Sequence, residues 1–461
     1  MEWRRVLFVL LVCLTVTGSS WYLYDFASRS DLRGYIGDEV WYVPASRNVL
    51  HLLGVELHYI NETTGSEGVN IIFSNQSTRI RYQYEVEKIA LRHNATYEKE
   101  YLKFPGVYFE VPPDNLESFL GDVEEKLPED AYYTVTGYWY PDKDNIQNYL
   151  NTEHPFLGKD LIMLGMLLGD RPINWRLPGI VAFAIIQVLV VVAAYRISRS
   201  YLAALIALVF TAADPTLQAL GVAAMLDIHV ALFVALTVAL MVLGRDSLAS
   251  VSLGLAASAK LSGGFLWPVL LVRALKRERS FFGFVLRVFL LPSAAFLLPN
   301  LTAMGAIGPK EWLRQFLWSF KWQISPKAGH PAASPVWEWF INKTAFPLHY
   351  NPNIFAQTDP FLLLGMAVFI FALPWLYRKR PAVLVPFASF WSIVLMFVVY
   401  YAVGGKTQLS FYATILVPPA AVVMGVALNE LLRWEAFKES LRLYLGWLLE
   451  IKDRIRARLG R

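Results

Sequence analysis

From Arg176 to Leu431 the chain is a succession of apolar runs, approximately 176–196, 200–218, 226–243, 247–262, 263–275, 282–301, 359–377, 382–401 and 408–431, divided by short polar breaks. Inside a bilayer no water satisfies the backbone, so runs of this kind fold as helices that close their own hydrogen bonds. A further run lies at the N-terminus, where Arg4 and Arg5 precede VLFVLLVCLTVTGSS. It imitates a secretory leader, but its apolar character continues through Trp21, Tyr22 and Tyr24, which form an aromatic belt. Read as a retained helix, it brings the expectation to about ten spans. Only 17% of the residues are charged, against roughly 25% in soluble domains. The net charge of +5 sits in short clusters between the runs, a mark of membrane topology rather than of nucleic-acid binding. The single cysteine, Cys13, excludes an intrachain disulfide, and the seven histidines show no metal-ligand spacing, so no metal is expected.

Arg4 and Arg5, Arg196 and Arg199, Arg245, Lys276 to Arg279 and Tyr377 to Arg380 all fall on one side of this arrangement. Basic residues favour the cytoplasmic side, which makes both termini cytoplasmic in a multi-pass cell-membrane protein. Two large outer segments follow, 25–175 and 302–358. The five sequons, at Asn61, Asn75, Asn94, Asn300 and Asn342, then lie outside as well. The expected organisation is a first helix with an acidic loop (1–54), an extracytoplasmic α+β insert (55–150), a transmembrane core (151–431) containing the outer loop 302–358, and a cytoplasmic basic tail (432–461).

In the insert, RIRYQYEVE alternates in period two and is expected as a strand, as are VYFEV and YYTVTGYWY. PDNLESFLGDVEEKL is expected as a helix capped by Asp114. Residues 151–175 are too interrupted by charge to span and should lie along the outer interface. WLRQFLWSFKW, with Trp312, Trp318 and Trp322, suits an interfacial helix. From Arg433 on, eight Lys or Arg oppose four acids, and Leu441, Leu445, Leu448, Ile451, Ile455 and Leu459 recur at helical spacing. That is an amphipathic helix suited to an anionic lipid surface.

The polar groups that can do chemistry come from distant segments and converge at the outer rim. Asp38 and Glu39 follow the first span; His154 and Lys159 lie in EHPFLGK, Arg176 in WRLPG, Asp227 and His229 in MLDIHVALF, and Lys260 in GLAASAKLSG. His330, Trp337, Glu338 and Trp339 lie in HPAASPVWEWF. Taken singly, each has an ordinary structural explanation: Asp227 as a helix cap, Lys260 as a snorkelling side chain, the tryptophans as belt residues.

Taken in order, GDEVWY, EHPFLGK, WRLPG, MLDIHVALF, GLAASAKLSG, HPAASPVWEWF and FYATILVPP resemble the protein O-mannosyltransferase family, glycosyltransferase family 39 of the GT-C fold, in a prokaryotic form without the sugar-binding trefoil domain. The resemblance covers nearly all of the membrane part but not the insert. It implies transfer of mannose from a polyprenyl (dolichyl) phosphate to Ser or Thr hydroxyls, or to a glycan, on the outer face, with inversion and with no further cofactor. It makes Asp38 and Glu39 the catalytic acid pair, with Asp38 as base. His154, Lys159, Arg176, Asp227, His229, Lys260, His330, Trp337, Glu338 and Trp339 become donor- or acceptor-binding positions. It also leaves a dimer open. The arginine that the family carries shortly before its Leu-Asp pair is missing here, where Gly221, Val222, Ala223 and Ala224 stand. Either donor-phosphate binding falls to other cations, with Lys159, His154, Lys260 and Lys406 as candidates, or the donor differs.

The chemistry stands without the family. A hydroxyl attacking an anomeric carbon needs a base, whereas phosphate leaves without acid help, so a second opposed carboxyl is not required. The alternatives are a GT-C transferase acting on a lipid phosphate, like the aminoarabinose transferases that resemble this architecture, and a transporter. Against the latter, no internal repeat is visible and the charges gather at one face.

Overall fold

The computed structural model describes residues 2–325, 330–431 and 434–458; Leu459 and the side chain of Trp322 lie outside the described residues. Helix α1 (Glu2–Ala27) leads through a polar loop into α2 (Glu39–Leu52), which is buried along most of its length.

The insert follows, as β1 (Glu67–Phe73), α3 (Gln76–Arg92), β2 (Thr96–Glu100), β3 (Gly106–Val111), α4 (Pro113–Lys126) and β4 (Tyr132–Thr136). Its strands form an antiparallel sheet in the order β2-β3-β1-β4. Alternate residues of β1, Val69, Ile71 and Phe73, meet Phe119 and Val123 of α4 and Val86 and Ile89 of α3. The opposite face carries Ile72, Tyr108 and Val135 against Tyr101 and Tyr140.

The stretch 79–87 is helix, not strand. Asn75 caps it by accepting the Thr78 backbone N–H at 2.9 Å, and Val86, Ile89 and Ala90 then share a buried face while Ile80 and Tyr84 point out. The alternating residues are compatible with either period over one short window, and the cap with the following turn decides. Helix α4 starts two residues earlier than expected, with Pro113 as its first residue and no side-chain cap.

Two buried ties fasten the insert to α2. Arg47 makes a two-point ion pair with Asp170 at 2.6 and 3.1 Å, and Asp170 also accepts the Tyr138 N–H at 2.9 Å. Asn48 donates to the carbonyls of Ile146 and Tyr149 and accepts from the Tyr140 hydroxyl at 2.7 Å.

The chain continues through α5 (Leu157–Met166) to α6 (Pro172–Ser198). Helices α7 (Tyr201–Ala213) and α8 (Pro215–Gly221) meet at a 57° bend. Asp214 sits at that bend and caps α8 through the Leu217 N–H at 2.9 Å, while Pro215 fits the first turn. Next come α9 (Leu226–Val242), α10 (Asp246–Ala259), a 3-10 stretch Leu261–Leu266 and α11 (Trp267–Arg277). Helix α12 (Phe281–Ile307) then leads to α13 (Pro309–Ile324) and a small hairpin of β5 (Phe346–His349) and β6 (Ile354–Ala356). Helices α14 (Pro360–Lys379), α15 (Pro381–Ala402), α16 (Ser410–Leu431) and α17 (Trp434–Arg458) complete the chain.

Among the described residues, α1, α6, α12, α14, α15 and α16 are long and apolar enough to cross a membrane, and the bent α7–α8 pair makes a seventh. The chain is thus multi-pass; of the ten expected spans, those at α9, α10 and α11 have 17, 14 and 11 residues and fall short of a full span by length alone. Helices α9 and α16 lie inside the bundle. Close approach there depends on small residues: a Cβ on Gly425 of α16 would meet the Ala203 carbonyl of α7 at 2.3 Å. Asn300 is buried in α12 and donates to Ser258 at 3.1 Å, so it is no modification site despite its sequon. Trp312 of α13 is buried and stacks on Phe316, whereas Trp318 is exposed, so only the latter suits an interfacial belt. Helix α17 is tied to α14 by the Trp375–Glu439 hydrogen bond at 2.8 Å and leaves Leu441, Leu445, Leu448, Ile451 and Ile455 exposed.

Candidate functional site

Asp38 and Glu39 are neighbours with opposite fates, because Asp38 is the N-cap position of α2 and Glu39 is its first residue. Glu39 points inward and is fully buried. Its Oε1 accepts Arg176 Nε at 2.8 Å and the Ala224 N–H at 2.7 Å; its Oε2 accepts Arg176 Nη2 and the Ile36 N–H, both at 2.8 Å. Arg176 gives its remaining donors to the carbonyls of Leu32 and Gly34, at 2.6 Å each, and to Ala27 at 3.4 Å. All five guanidinium N–H groups are engaged by protein. The expectation that Glu39 shares the catalysis and that Arg176 binds a ligand meets a physical obstacle: neither has capacity left for one. Together they staple the loop that leads into Asp38.

Asp38 does not use its carboxylate to cap α2. Its Oδ2 accepts the Tyr42 hydroxyl, one helical turn on, at 3.3 Å. Burial raises its pKa above the ordinary carboxylate value; the nearby Lys260 charge opposes this, while the Asp227 charge adds to it. Asp38 is therefore a carboxylate with acceptor capacity to spare, held among charged groups.

Lys260 follows the last residue of α10 and is buried, so it does not snorkel to the headgroups. Its Nζ lies 3.0 and 2.9 Å from the two oxygens of Asp227 on α9, and 4.1 Å from the centre of the Tyr412 ring. Two of its three N–H donors are thus directed at Asp227, which leaves one. Lys260 also lines a cavity of about 300 Å³ together with His154, Phe265, Phe320, Phe397, Tyr400 and Tyr412. The cavity is aromatic and apolar, with the lysine and the histidine in its wall. The His154 ring lies 6.0 Å from that of Tyr42, which links the cavity to Asp38.

The other expected residues divide. Lys159 is buried and donates to the carbonyls of Asn151 at 2.5 Å and His154 at 2.9 Å, so it fixes the loop carrying His154 and does not face the cavity. His229 is buried on α9, and its Nδ1 has no hydrogen-bond partner among the described residues. Trp339 is a core residue rather than a sugar platform: its Nε1 donates to the Ser334 carbonyl at 2.7 Å, and its ring packs against Phe397 and Tyr412. Trp337 is half-exposed beside Tyr401, and Glu338 pairs with Lys343 at 2.6 Å. His330 is exposed and stacks on Phe346. Lys406 is exposed. Sequence reasoning missed Tyr42 and Tyr412 as site residues. Tyr42 was readable, since a tyrosine four places after an aspartate at a helix start shares its face; Tyr412 carried no comparable signal. Among the described residues no group of three or more His, Cys, Asp or Glu side chains could hold a metal ion.

Solved structures similar to the chain include ArnT from Cupriavidus metallidurans bound to undecaprenyl phosphate, at 15% identity and TM-score 0.49, over 94% of this chain and 61% of that one. The apo state of the same protein matches at 17% identity and TM-score 0.43, over 63% and 51%. The chain spans about half to three-fifths of the length of that protein. No protein-family model matches, and no curated protein does.

Proposed function

We propose that the chain is an inverting GT-C glycosyltransferase that moves mannose or a similar sugar from a polyprenyl phosphate to a Ser/Thr hydroxyl of a protein, or to a glycan, on the extracytoplasmic face. One observation carries the reading. A carboxylate with free acceptor capacity, Asp38, bonds to Tyr42, whose ring lies 6.0 Å from that of His154 in the wall of an aromatic cavity that also holds the buried Lys260. In this mechanism Asp38 takes the proton of the attacking hydroxyl as the new bond to the anomeric carbon forms. The bond to the phosphate oxygen breaks in the same displacement, and the phosphate leaves with the electron pair. The remaining N–H of Lys260 faces the charge that grows on the departing phosphate, with Asp227 holding the ammonium in place. Aromatic walls suit an isoprenoid chain. Glu39, Arg176 and Lys159 act as positioning residues.

The experiment is a transfer assay with the purified chain, polyprenyl-phosphate mannose and three acceptors: a Ser/Thr-rich peptide, a lipid-linked oligosaccharide and a phosphorylated lipid. Transfer to the peptide or the oligosaccharide supports the reading and selects the acceptor. Transfer only to the phosphorylated lipid moves the assignment to the aminoarabinose-transferase-like alternative, and no transfer to any of them refutes the donor.

A further inference from the structure

A second cavity, of about 230 Å³, adjoins the Glu39–Arg176 staple, where the C-terminal end of α1 meets the start of α6 and the insert. Leu32 and Ala27 line it, and their carbonyls accept from Arg176. Its titratable wall is Arg29, Arg33 and Arg171 against the single carboxylate of Glu62, with Tyr24, Tyr59 and Tyr138 around them. Arg29 is engaged from outside the cavity by Asp31, at 2.7 and 3.1 Å. Glu62 bridges the other two, 2.7 Å from Arg171 and 3.8 Å from Arg33, but is itself well exposed. A surface carboxylate of that kind contributes little as an ion pair and is readily displaced by a stronger anion.

Depth indicates which anion. Trp21, Tyr22 and Tyr24 on the last turns of α1 are exposed, forming the aromatic belt that sits at headgroup level, and Pro172 starts the α6 span at the same rim. Guanidinium groups match phosphate oxygens in paired hydrogen bonds. We propose that this cavity binds the phosphate of an anionic membrane lipid, in the leaflet that faces the insert, with Arg33 and Arg171 exchanging Glu62 for it. Because the same loop, 28–36, runs on to Asp38, a lipid seated there braces the approach to the catalytic carboxylate.

The test is native mass spectrometry of the full chain in detergent, titrated with phosphatidylglycerol, with phosphatidylcholine as the neutral-headgroup control and inorganic phosphate as competitor. The wild type retains phosphatidylglycerol in preference to phosphatidylcholine. The Arg33→Gln/Arg171→Gln variant binds it at least about ten-fold more weakly, since two charge-assisted contacts are lost, and Glu62→Gln binds it more tightly. Equal affinity in the arginine variant, or equal retention of phosphatidylcholine, overturns the proposal. Displacement by millimolar phosphate turns the site into one for free phosphate and overturns its lipid part. The arginine side chains are half-exposed, and unchanged thermal unfolding verifies that the variant folds. Sugar transfer is not read in this test, so its failure leaves the catalytic assignment untouched.

Discussion

Replacing Glu39 by glutamine removes one charge from a fully buried pair and leaves the Arg176 guanidinium among carbonyls without a counter-ion. Breaking a buried pair in this way costs about 3–5 kcal/mol, because the remaining charge keeps its desolvation penalty and loses its partner. Two further hydrogen bonds, from Ile36 and Ala224, would then end on a neutral amide that offers only one oxygen. The double variant Glu39→Gln/Arg176→Gln has no stranded charge and should recover much of the loss. Unfolding in detergent, followed by tryptophan fluorescence and by recovery of the monodisperse species, reads the stability. Turnover is then normalised to the folded fraction. The positioning role requires that the single variant be markedly destabilised, that the double variant be less so, and that the folded fraction keep measurable turnover. A Glu39→Gln protein as stable as the wild type but without turnover would refute that reasoning and return Glu39 to the chemistry.

Three further outcomes follow from the same geometry. The rate should fall as pH drops through the Asp38 pKa, since only the ionised base accepts a proton; burial raises that pKa, so the acid limb lies above the usual carboxylate range, and Tyr42→Phe, which removes a bond to the ionised form, moves the limb higher still in a kcat/KM profile. Lys260→Met leaves Asp227 unpaired in the interior and should lower both stability and turnover, whereas adding Asp227→Asn should restore stability but not turnover, as unfolding and transfer measured on the same samples would show. Activity should persist after EDTA treatment; complete loss with rescue by added metal would contradict the mechanism.

What was legible in the sequence depended on how local the signal was. The long apolar runs at α1, α6 and α14 to α16 are legible through length alone, and α4 through helical spacing. At 79–87 a local pattern misled, because four alternating residues fit a strand until the Asn75 cap is weighed. The short helices α9 and α10 read as full spans in the sequence because their residues are apolar, whereas their length is limited by packing inside the bundle, which neighbours set and their own residues do not.

At the site, Asp38 was legible as one of a costly acidic pair, but the division of labour between it and Glu39 was not. That division follows from the direction of one helix turn: Glu39 faces the Arg176 of a span more than a hundred residues later, and Asp38 faces the groups around the cavity. Lys260 is placed by Asp227, and Lys159 by the carbonyls of its own loop. A sequence shows that a lysine is present; only the fold shows which partners have already used its donors.

Asp38 accepts the proton of the incoming hydroxyl in this mechanism, and turnover of Asp38→Asn with polyprenyl-phosphate mannose and the best acceptor tests that role. Loss of a positioned base lowers the rate by about 10²–10⁴-fold, and asparagine, being close in shape, should leave donor binding and unfolding unchanged. That is the predicted result. An Asp38→Asn protein that transfers sugar at the wild-type rate would remove Asp38 from the chemistry.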